Sequence, residues 1–212
     1  MKEWLKARSF EDVGRFYDDH YLKDGAESFK EDRTQVIELL RRFRLPAGSD
    51  FSFEHRMLDA GCGNGQMIEQ LCDKMECVGI EVSRAAYLIA RNKLGSRAVI
   101  KQMPIEEIEG HWEGMFDFIT CLGVLEHTMD PKACHGILMR CLRPGGLLIA
   151  TVPIEFDDCF MYIRAEANQR TNERFATIDE WLDYFGRGEE AFVVVGEGET
   201  KHVAIIFRKE EQ

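Results

Sequence analysis

The sequence predicts a single α/β domain built on a mostly parallel, seven-stranded sheet with helices on both faces. From residue 56 to residue 153, short apolar runs alternate with helix-like stretches, a pattern typical of parallel strands joined by helices. The pattern changes at residues 191–207, where two β-rich runs flank a polar turn that contains glycine. Such a pair predicts a hairpin, so we expect the last strand to run antiparallel.

A separate sequence pattern predicts each helix and strand. Ahead of the first strand, residues 34–46 place apolar side chains on one helical stripe and end at Pro46, which predicts a helix. No repeat or linker divides the chain, so residues 1–212 are expected to form one domain. The remaining runs predict strands over 56–60, 77–82, 98–102, 115–122 and 146–153, and helices over 66–75, 84–94 and 132–142.

The composition favours a cytoplasmic protein. The chain has 212 residues, of which 45% are apolar, enough for one sizeable core. It contains neither an apolar run long enough to span a membrane nor the apolar segment of a signal peptide, so we expect no membrane partner. The seven cysteines are odd in number and lack metal-site spacing, which indicates reduced thiols. The net charge of −11 repels a phosphate backbone, so nucleic acid is not the expected partner.

A glycine-rich segment, LDAGCGNGQ, follows the first predicted strand. Glycines at alternating positions permit a tight turn and let a ligand lie against the backbone. A pyrophosphate-binding loop places a small residue where this chain has Gln66, and the carboxylate of Asp59 repels a pyrophosphate but suits an ammonium group. The segment therefore favours a methyl donor over a dinucleotide, with a tight turn that binds no ligand as the alternative.

A second acidic position favours a ligand that carries a ribose. The next predicted strand ends at Glu81, 20 residues beyond Gly61, where folds of this kind place the acid that accepts hydrogen bonds from ribose hydroxyls. An acid at the end of a strand is more often a side chain that is only exposed to solvent. Its spacing from the glycines favours the ligand-binding role here. Because parallel strands end at one edge of a sheet, Asp59, Glu81 and Cys121 are expected to line that edge.

Four segments together resemble the class I S-adenosylmethionine-dependent methyltransferases, in particular the methyltransferase type 11, 12 and 23 group. LDAGCGNG looks like the family's first motif, VGIEVS like its acidic second strand, FDFITCLGVLEH like its fourth strand and loop, and LRPGGLLIATVP like the turn into its fifth strand. The resemblance covers residues 57–153 and implies a Rossmann-like fold. It also implies S-adenosyl-L-methionine as cofactor and S-adenosyl-L-homocysteine as product, but it leaves the methyl acceptor open. We expect O- or N-methylation of a small-molecule acceptor, with carbon as the further possible acceptor atom. The alternatives are a methyltransferase for RNA or protein, a cofactor-binding protein without catalysis, and an enzyme that uses the fold for another transfer.

The resemblance implies roles for the residues that match its motifs. Asp59, Gly61 and Gly63 would contact the methionine part of the cofactor. Glu81 would hold the ribose, and Val82 would flank the adenine.

The match is less complete after the third and fourth strands. The family often has an acid where this chain has Pro104, while the backbone N–H of Ile105 would still bind the adenine ring. Leu122 opens the loop after the fourth strand, where the family lines the methionine side of the cofactor. Packing in the core is the alternative role for Leu122.

His127 is the candidate catalytic residue, because the resemblance places it beside the reactive end of the cofactor. A neutral imidazole, with an ordinary pKa of about 6.5, suits the removal of a proton from a hydroxyl acceptor. In the alternative, Glu126 and His127 order the loop or cap the next helix, which is predicted to start near Asp130 and Pro131. A base is not obligatory, because positioning supplies most of the rate of an in-line displacement.

The ends of the chain lie outside the resemblance. Residues 1–50 are expected to form helices that cover the cofactor, with Tyr17, His20 and Tyr21 either in a lid or on a surface helix. Residues 154–186 are expected to form the acceptor side.

Three arginines of the acceptor-side segment either pair with a carboxylate or phosphate on the acceptor, or balance the protein's own acids: Arg164, Arg170 and Arg174. No metal site is predicted, because no residue at ligand spacing accompanies Asp157 and Asp158.

Overall fold

A computed structural model describes residues 6–7, 9–24, 33–45, 49–154, 163–164, 178–186, 190–195 and 201–210. Its strands are β1 Lys6–Ala7, β2 Arg56–Ala60, β3 Glu76–Glu81, β4 Val99–Gln102, β5 Phe116–Leu122, β6 Leu142–Ile154, β7 Ile163–Arg164, β8 Glu190–Val195 and β9 Lys201–Arg208. Its α-helices are α1 Phe10–Asp24, α2 Thr34–Arg44, α3 Gln66–Leu71, α4 Arg84–Leu94, α5 Pro131–Cys141 and α6 Ile178–Phe185. Short 3₁₀ turns cover Gly95–Arg97, Ile105–Glu107, Gly110–Trp112 and Leu125–His127.

The main sheet has seven strands in the order β4-β3-β2-β5-β6-β9-β8. The first five strands in this order pair in parallel, as the alternating pattern predicted. β9 pairs antiparallel with both β6 and β8, so the antiparallel last strand is confirmed. A second sheet, the parallel pair β1-β7, was not predicted, because two-residue strands leave no periodicity in a sequence.

The central strands bury both of their faces. Successive side chains of a strand point to opposite sides of the sheet. Phe118 therefore packs in the core that includes α2 and α3 side chains, while its neighbour Ile119 packs in the core that includes α5 and α6 side chains. Leu148 and Ile149 of β6 divide in the same way between the two cores. This two-sided burial explains why the strands read as continuous apolar runs.

Two helices end before their predicted C-termini. The helix predicted over 34–46 ends at Arg44, because Leu45 precedes a proline and adopts an extended conformation with ψ of 141°. The helix predicted over 66–75 ends at Leu71, and the chain turns through Cys72 so that the buried Met75 leads directly into β3.

The fifth parallel strand begins earlier than predicted. Leu142 pairs with Phe116 and Leu147 with Phe118, so the intervening residues of β6 bulge out of register. Gly145, with φ of 71°, lies in this bulge.

Several sequence-based expectations fall on residues that the structure does not describe. Arg170, Arg174, Asp157, Asp158 and Cys159 lie outside the described residues, as does most of the expected acceptor-side segment. The six cysteines within the described ranges are all buried and free of disulfides. None of the described helices is long and apolar enough to cross a membrane.

A partly buried histidine makes the stability of the fold sensitive to acid. His135 of α5 packs against Phe207 and Phe185, with ring centroids 4.5 and 5.3 Å away, and burial lowers its pKa to about 4. The unfolded chain, in which a histidine has a pKa of about 6.5, takes up this proton first, so this residue destabilises the fold as the pH falls below that value.

We predict that His135→Leu reduces the loss of stability on acidification. Between about pH 7 and about pH 4.5, the variant should lose about 2 kcal/mol less free energy of unfolding than the wild type, measured by denaturant titration. His111→Gln is the control, because His111 is exposed. Equal losses in all three proteins would show that His135 does not titrate in this way.

Candidate active site

A candidate site lies at the carboxyl edge of the sheet, where β2, β3 and β5 end side by side. Asp59 of β2 is in register with Gly79 of β3 and Thr120 of β5. Glu81 ends β3, and Cys121 is the penultimate residue of β5. The expectation that Asp59, Glu81 and Cys121 share one edge is therefore confirmed. Open parallel sheets bind their ligands at this edge.

The glycine segment forms a tight loop between β2 and α3. Gly61, Gly63 and Gly65 have φ of 79°, 53° and 79°, a left-handed backbone that favours glycine. A Cβ on Gly61 would overlap the side chain of Val124, and one on Gly63 would lie 2.5 Å from the hydroxyl oxygen of Tyr21. The first two glycines are therefore required both by backbone conformation and by close contacts.

Backbone hydrogen bonds hold this loop against the neighbouring strand. The N–H groups of Gly61 and Cys62 both donate to the carbonyl of Ile80, at 2.9 Å. The N–H of Gly65 donates to the carbonyl of Cys62, also at 2.9 Å. The loop is thus positioned by β3 before any ligand arrives.

The carboxylate of Glu81 connects two loops of the site. Its Oε2 accepts a hydrogen bond from the N–H of Gly63, and its Oε1 accepts one from the N–H of Ser83, both at 2.8 Å. Burial raises the pKa of Glu81 to about 7, although backbone hydrogen bonds from Ser83, Gly63 and Val82 oppose that shift. A carboxylate has about four acceptor positions, so Glu81 can still accept a hydrogen bond from a ligand beside these backbone donors.

Asp59 is enclosed between the strands. It is 3% exposed, and its Oδ1 accepts a hydrogen bond of 2.7 Å from the hydroxyl of Thr120. Burial raises the pKa of Asp59 to about 6, and the Thr120 hydrogen bond and the charge of Arg33 act in the opposite direction. Sequence reasoning missed Arg33, because no motif connects the residue before α2 with the end of β2.

Helix α1 lies across the ends of these strands. Val13, Phe16 and Tyr17 pack around Val82, the residue that follows β3. The ring of Tyr17 also contacts that of His127, with centroids 6.0 Å apart.

Tyr21 lies further along α1 and is buried beside the glycine loop. Its burial, followed by the charge of Glu81, raises the pKa of its hydroxyl well above the usual range. Tyr17 and Tyr21 therefore lie beside the loops at the carboxyl edge, and a lid over a cofactor stays a prediction. The side chain of His20 is outside the described part of the chain.

Ile105 and Leu122 lie at the same edge of the sheet, after β4 and at the end of β5. Ile105 starts the 3₁₀ turn after β4 and is 3% exposed, directly after the extended Pro104. Leu122 ends β5, and its side chain packs in the core that contains α2 and α3 residues. The packing role foreseen for Leu122 is therefore present, and a contact with a cofactor stays a prediction for both residues.

His127 ends the 3₁₀ turn that follows β5. Its side chain is 17% exposed, and its Nε2 lies 3.8 Å from Oε1 of the buried Glu126, which is ion-pair rather than hydrogen-bond distance. The next helix is capped by Asp130, whose Oδ1 accepts from the N–H of Ala133 at 2.9 Å. The alternative in which Glu126 or His127 caps that helix is therefore wrong, and catalysis and loop ordering are the two roles left.

Most of the expected acceptor-side segment lies outside the described residues. Arg164 lies in β7, where its backbone pairs with Ala7 of β1, and its side chain is not described. No group of histidine, cysteine and acidic side chains that could hold a metal ion occurs among the described residues.

The sequence of this region matches a known family model. Residues 58–150 match the model of a methyltransferase domain. The ubiquinone biosynthesis O-methyltransferase of Alkalilimnicola ehrlichii is 36% identical over 98 residues, which are 44% of this chain and 40% of that protein. The enzyme of the same name from Pseudomonas aeruginosa is 35% identical over 99 residues, or 43% of this chain and 41% of that protein. The matches thus span about two fifths of the length of these curated relatives.

Solved structures share the fold at low identity. The [4+2]-cyclase SpnF superposes with a TM-score of 0.72 and 15% identity, covering 99% of this chain and 100% of that one. The 1,6-didemethyltoxoflavin-N1-methyltransferase of Burkholderia thailandensis, solved with bound 1,6-didemethyltoxoflavin and S-adenosylhomocysteine, superposes with a TM-score of 0.65 and 18% identity, covering 99% of this chain and 94% of that one. Residues 58–150 therefore resemble a methyltransferase domain, and the superposed structures show that the chain shares their fold.

Proposed function

We propose that this protein is an S-adenosylmethionine-dependent methyltransferase that methylates a small-molecule acceptor on oxygen or nitrogen. The observation that carries the proposal is the position of Glu81. Its buried carboxylate is fixed between the N–H groups of Gly63 and Ser83, at the carboxyl edge of the sheet and directly beside the glycine loop. A ligand that combines a ribose with an amino acid matches this combination of a buried acid and a glycine loop.

The residues at the edge fit the cofactor in charge and in shape. Gly61 and Gly63 give the loop its left-handed backbone, Val124 and Tyr21 pack against these two glycines, and Glu81 retains acceptor positions for ribose hydroxyls. The apolar Val82 would flank the adenine. Asp59 and Glu81 are both buried acids with raised pKa values, and a cation bound nearby would favour their ionised forms.

Ile105 and Leu122 would complete the cofactor site. The N–H of Ile105 would bind the adenine ring, with Pro104 replacing the acid that often accompanies it in the family. The residues after Leu122 would line the methionine side through their backbone, since the Leu122 side chain packs in the core.

The protein's contribution to the reaction would be mainly positional. S-Adenosylmethionine itself supplies the activated methyl group, as a sulfonium. Holding donor and acceptor at near-attack distance is worth roughly 7–11 kcal/mol, and helix α1 would exclude water from the edge that it covers.

His127 would act as a general base when the acceptor is a hydroxyl. It would accept the hydroxyl proton, and the buried carboxylate of Glu126, 3.8 Å from Nε2, would stabilise the resulting imidazolium. The Tyr17 ring, in edge contact with His127, would hold the imidazole in place.

A small molecule is the acceptor class that the chain favours. The curated relatives are named for O-methylation in ubiquinone biosynthesis, and the structural neighbour from Burkholderia thailandensis is named for N-methylation of a small heterocycle. The net charge of −11 disfavours a nucleic acid acceptor. We also propose a cytoplasmic location, since the described cysteines are buried, free thiols, as expected in a reducing compartment.

A function without methyl transfer is the second candidate, because SpnF shows that the fold also occurs in a protein named for another reaction. That protein has the same fold over 99% of this chain and is named a cyclase. The edge geometry would serve a cofactor-binding protein or a different reaction equally well, because a fold does not determine a reaction.

Methyl release separates these functions. We predict that the protein transfers label from S-adenosylmethionine carrying a labelled methyl group to a component of a metabolite extract, detected by mass spectrometry.

S-Adenosylhomocysteine should raise the melting temperature of the protein, and NAD should not. A rise with NAD alone would contradict the cofactor assignment, whereas a rise with S-adenosylhomocysteine and no methyl transfer would favour the binding protein or the cyclase-like alternative. Salt-sensitive binding of RNA together with RNA methylation would show that the acceptor is RNA rather than a small molecule.

Cofactor affinity should depend on pH through Glu81. The free carboxyl has a pKa of about 7, and ribose hydroxyls that donate to it would lower that pKa in the complex. Binding is then strongest above about pH 7 and weakens as the pH falls through that value, because the free protein becomes protonated first.

Glu81→Gln tests this dependence. We predict a loss of about 1.5–3 kcal/mol in the binding free energy of S-adenosylhomocysteine at about pH 8, and a flatter pH profile, both measured by calorimetry. Glu76→Gln, at the exposed start of the same strand, should match the wild type. An unchanged affinity in Glu81→Gln would mean that Glu81 does not bind the ribose.

His127→Ala should separate catalysis from loop ordering. If His127 is the base, kcat should fall by about 10²-fold or more while S-adenosylhomocysteine affinity stays nearly constant, because the interaction forms mainly in the transition state. The measurement is steady-state kinetics with the acceptor identified by the labelling experiment, and His111→Ala is the exposed control. Weakened cofactor binding with a small change in kcat would instead assign His127 to ordering the loop.

A further inference from the structure

We infer that Asp18 is a positioning residue that latches helix α1 onto the first turn of α4 and thereby holds Glu81 and Val82 in place for the cofactor. This inference rests on the proposed function for the identity of the cofactor. The latch itself consists of contacts between described residues.

Asp18 binds α4 through one carboxylate oxygen. Its Oδ1 accepts a hydrogen bond of 2.6 Å from the hydroxyl of Ser83 and one of 2.8 Å from the N–H of Ala85. Ser83 is the N-cap of α4, and its own Oγ accepts from the N–H of Ala86 at 3.1 Å. Asp18 therefore supplies a second cap from a different helix, and its negative charge is favoured at a helix N-terminus.

A glycine lets α1 approach closely enough for this contact. A Cβ on Gly14 would lie 3.0 Å from the backbone carbonyl oxygen of Val82. Glycine inside a helix weakens the helix, so its presence in α1 is explained by contact rather than by helix formation. Val13 and Tyr17 then pack on Val82 on either side of that approach.

Ser83 links this latch to Glu81, the acid proposed to bind the ribose. The hydroxyl of Ser83 donates to Asp18, while the N–H of the same residue donates to Oε1 of Glu81. Docking of α1 therefore fixes the backbone that orients Glu81. In return, a ligand bound by Glu81 and covered by α1 should stabilise the docked helix, because coupling between two sites is reciprocal.

The coupling predicts two effects of Asp18→Ala. Loss of charge-assisted hydrogen bonds should weaken S-adenosylhomocysteine binding about 10-fold or more, measured by calorimetry. In the ligand-free protein, amide hydrogen exchange across α1 should become about 10-fold faster, while exchange in β5 stays unchanged, since the opening is local.

Matched variants distinguish a latch from a general loss of stability. Asp19→Ala changes the next residue of α1, which is exposed, and should behave as the wild type. Asp18→Asn keeps an oxygen that can accept both hydrogen bonds but removes the negative charge. Its affinity for S-adenosylhomocysteine should be close to that of the wild type. Asp18→Ala and Ser83→Ala remove the same hydrogen bond, so their effects on binding should be less than additive.

The outcomes separate this inference from the proposed function. If Asp18→Ala and Asp19→Ala have the same α1 exchange rates, the latch is overturned whatever the ligand. If exchange in α1 accelerates in Asp18→Ala but S-adenosylhomocysteine binds it as tightly as the wild type, the positioning role is overturned. If the wild type itself binds no S-adenosylhomocysteine, the proposed cofactor and the positioning role fail, while the exchange comparison still decides whether Asp18 docks α1.

Discussion

The carboxylate of Glu81 is the interaction on which the candidate site depends. A buried acid at the end of β3 accepts hydrogen bonds from the loop that follows β2 and from the loop that follows β3 itself. Burial without partners would cost such a group several kcal/mol, so the two backbone donors are what permit an acid here. The three left-handed glycines are the complementary constraint, because only they let the first loop turn back far enough to place Gly63 against Glu81.

Helix α1 completes the edge in a way that the central motifs do not specify. It contacts the end of β3 through Val82, the glycine loop through Tyr21, and the loop after β5 through the contact of Tyr17 with His127. One amphipathic helix thus reaches the loops after three different strands. Its position explains how a site built on an open sheet edge can be shielded from water, which strengthens electrostatic interactions within it.

The likenesses to a cyclase and to an N-methyltransferase show why the fold and the reaction have to be argued separately. Both superpose on nearly the whole chain, and both are less than 20% identical to it. What they share is the arrangement of strands that creates the carboxyl edge. The chemistry depends on the few side chains placed around that edge, for which we propose His127 and Glu126, and on the acceptor.

The sequence by itself determined the parallel sheet, the antiparallel hairpin, the glycine turn and the acidic ends of two adjacent strands. These features follow from local periodicity and from fixed spacing within one βαβ unit, which a sequence displays directly. Only the tertiary structure decided that Thr120 binds Asp59, that Arg33 lies near it, and that Asp18 caps a helix 65 residues away along the chain. Such contacts join distant segments through packing of α1 and α2 on the sheet, and no periodicity or spacing records them. Exact helix ends were likewise set by context, as at Leu71, where the chain must turn to enter β3.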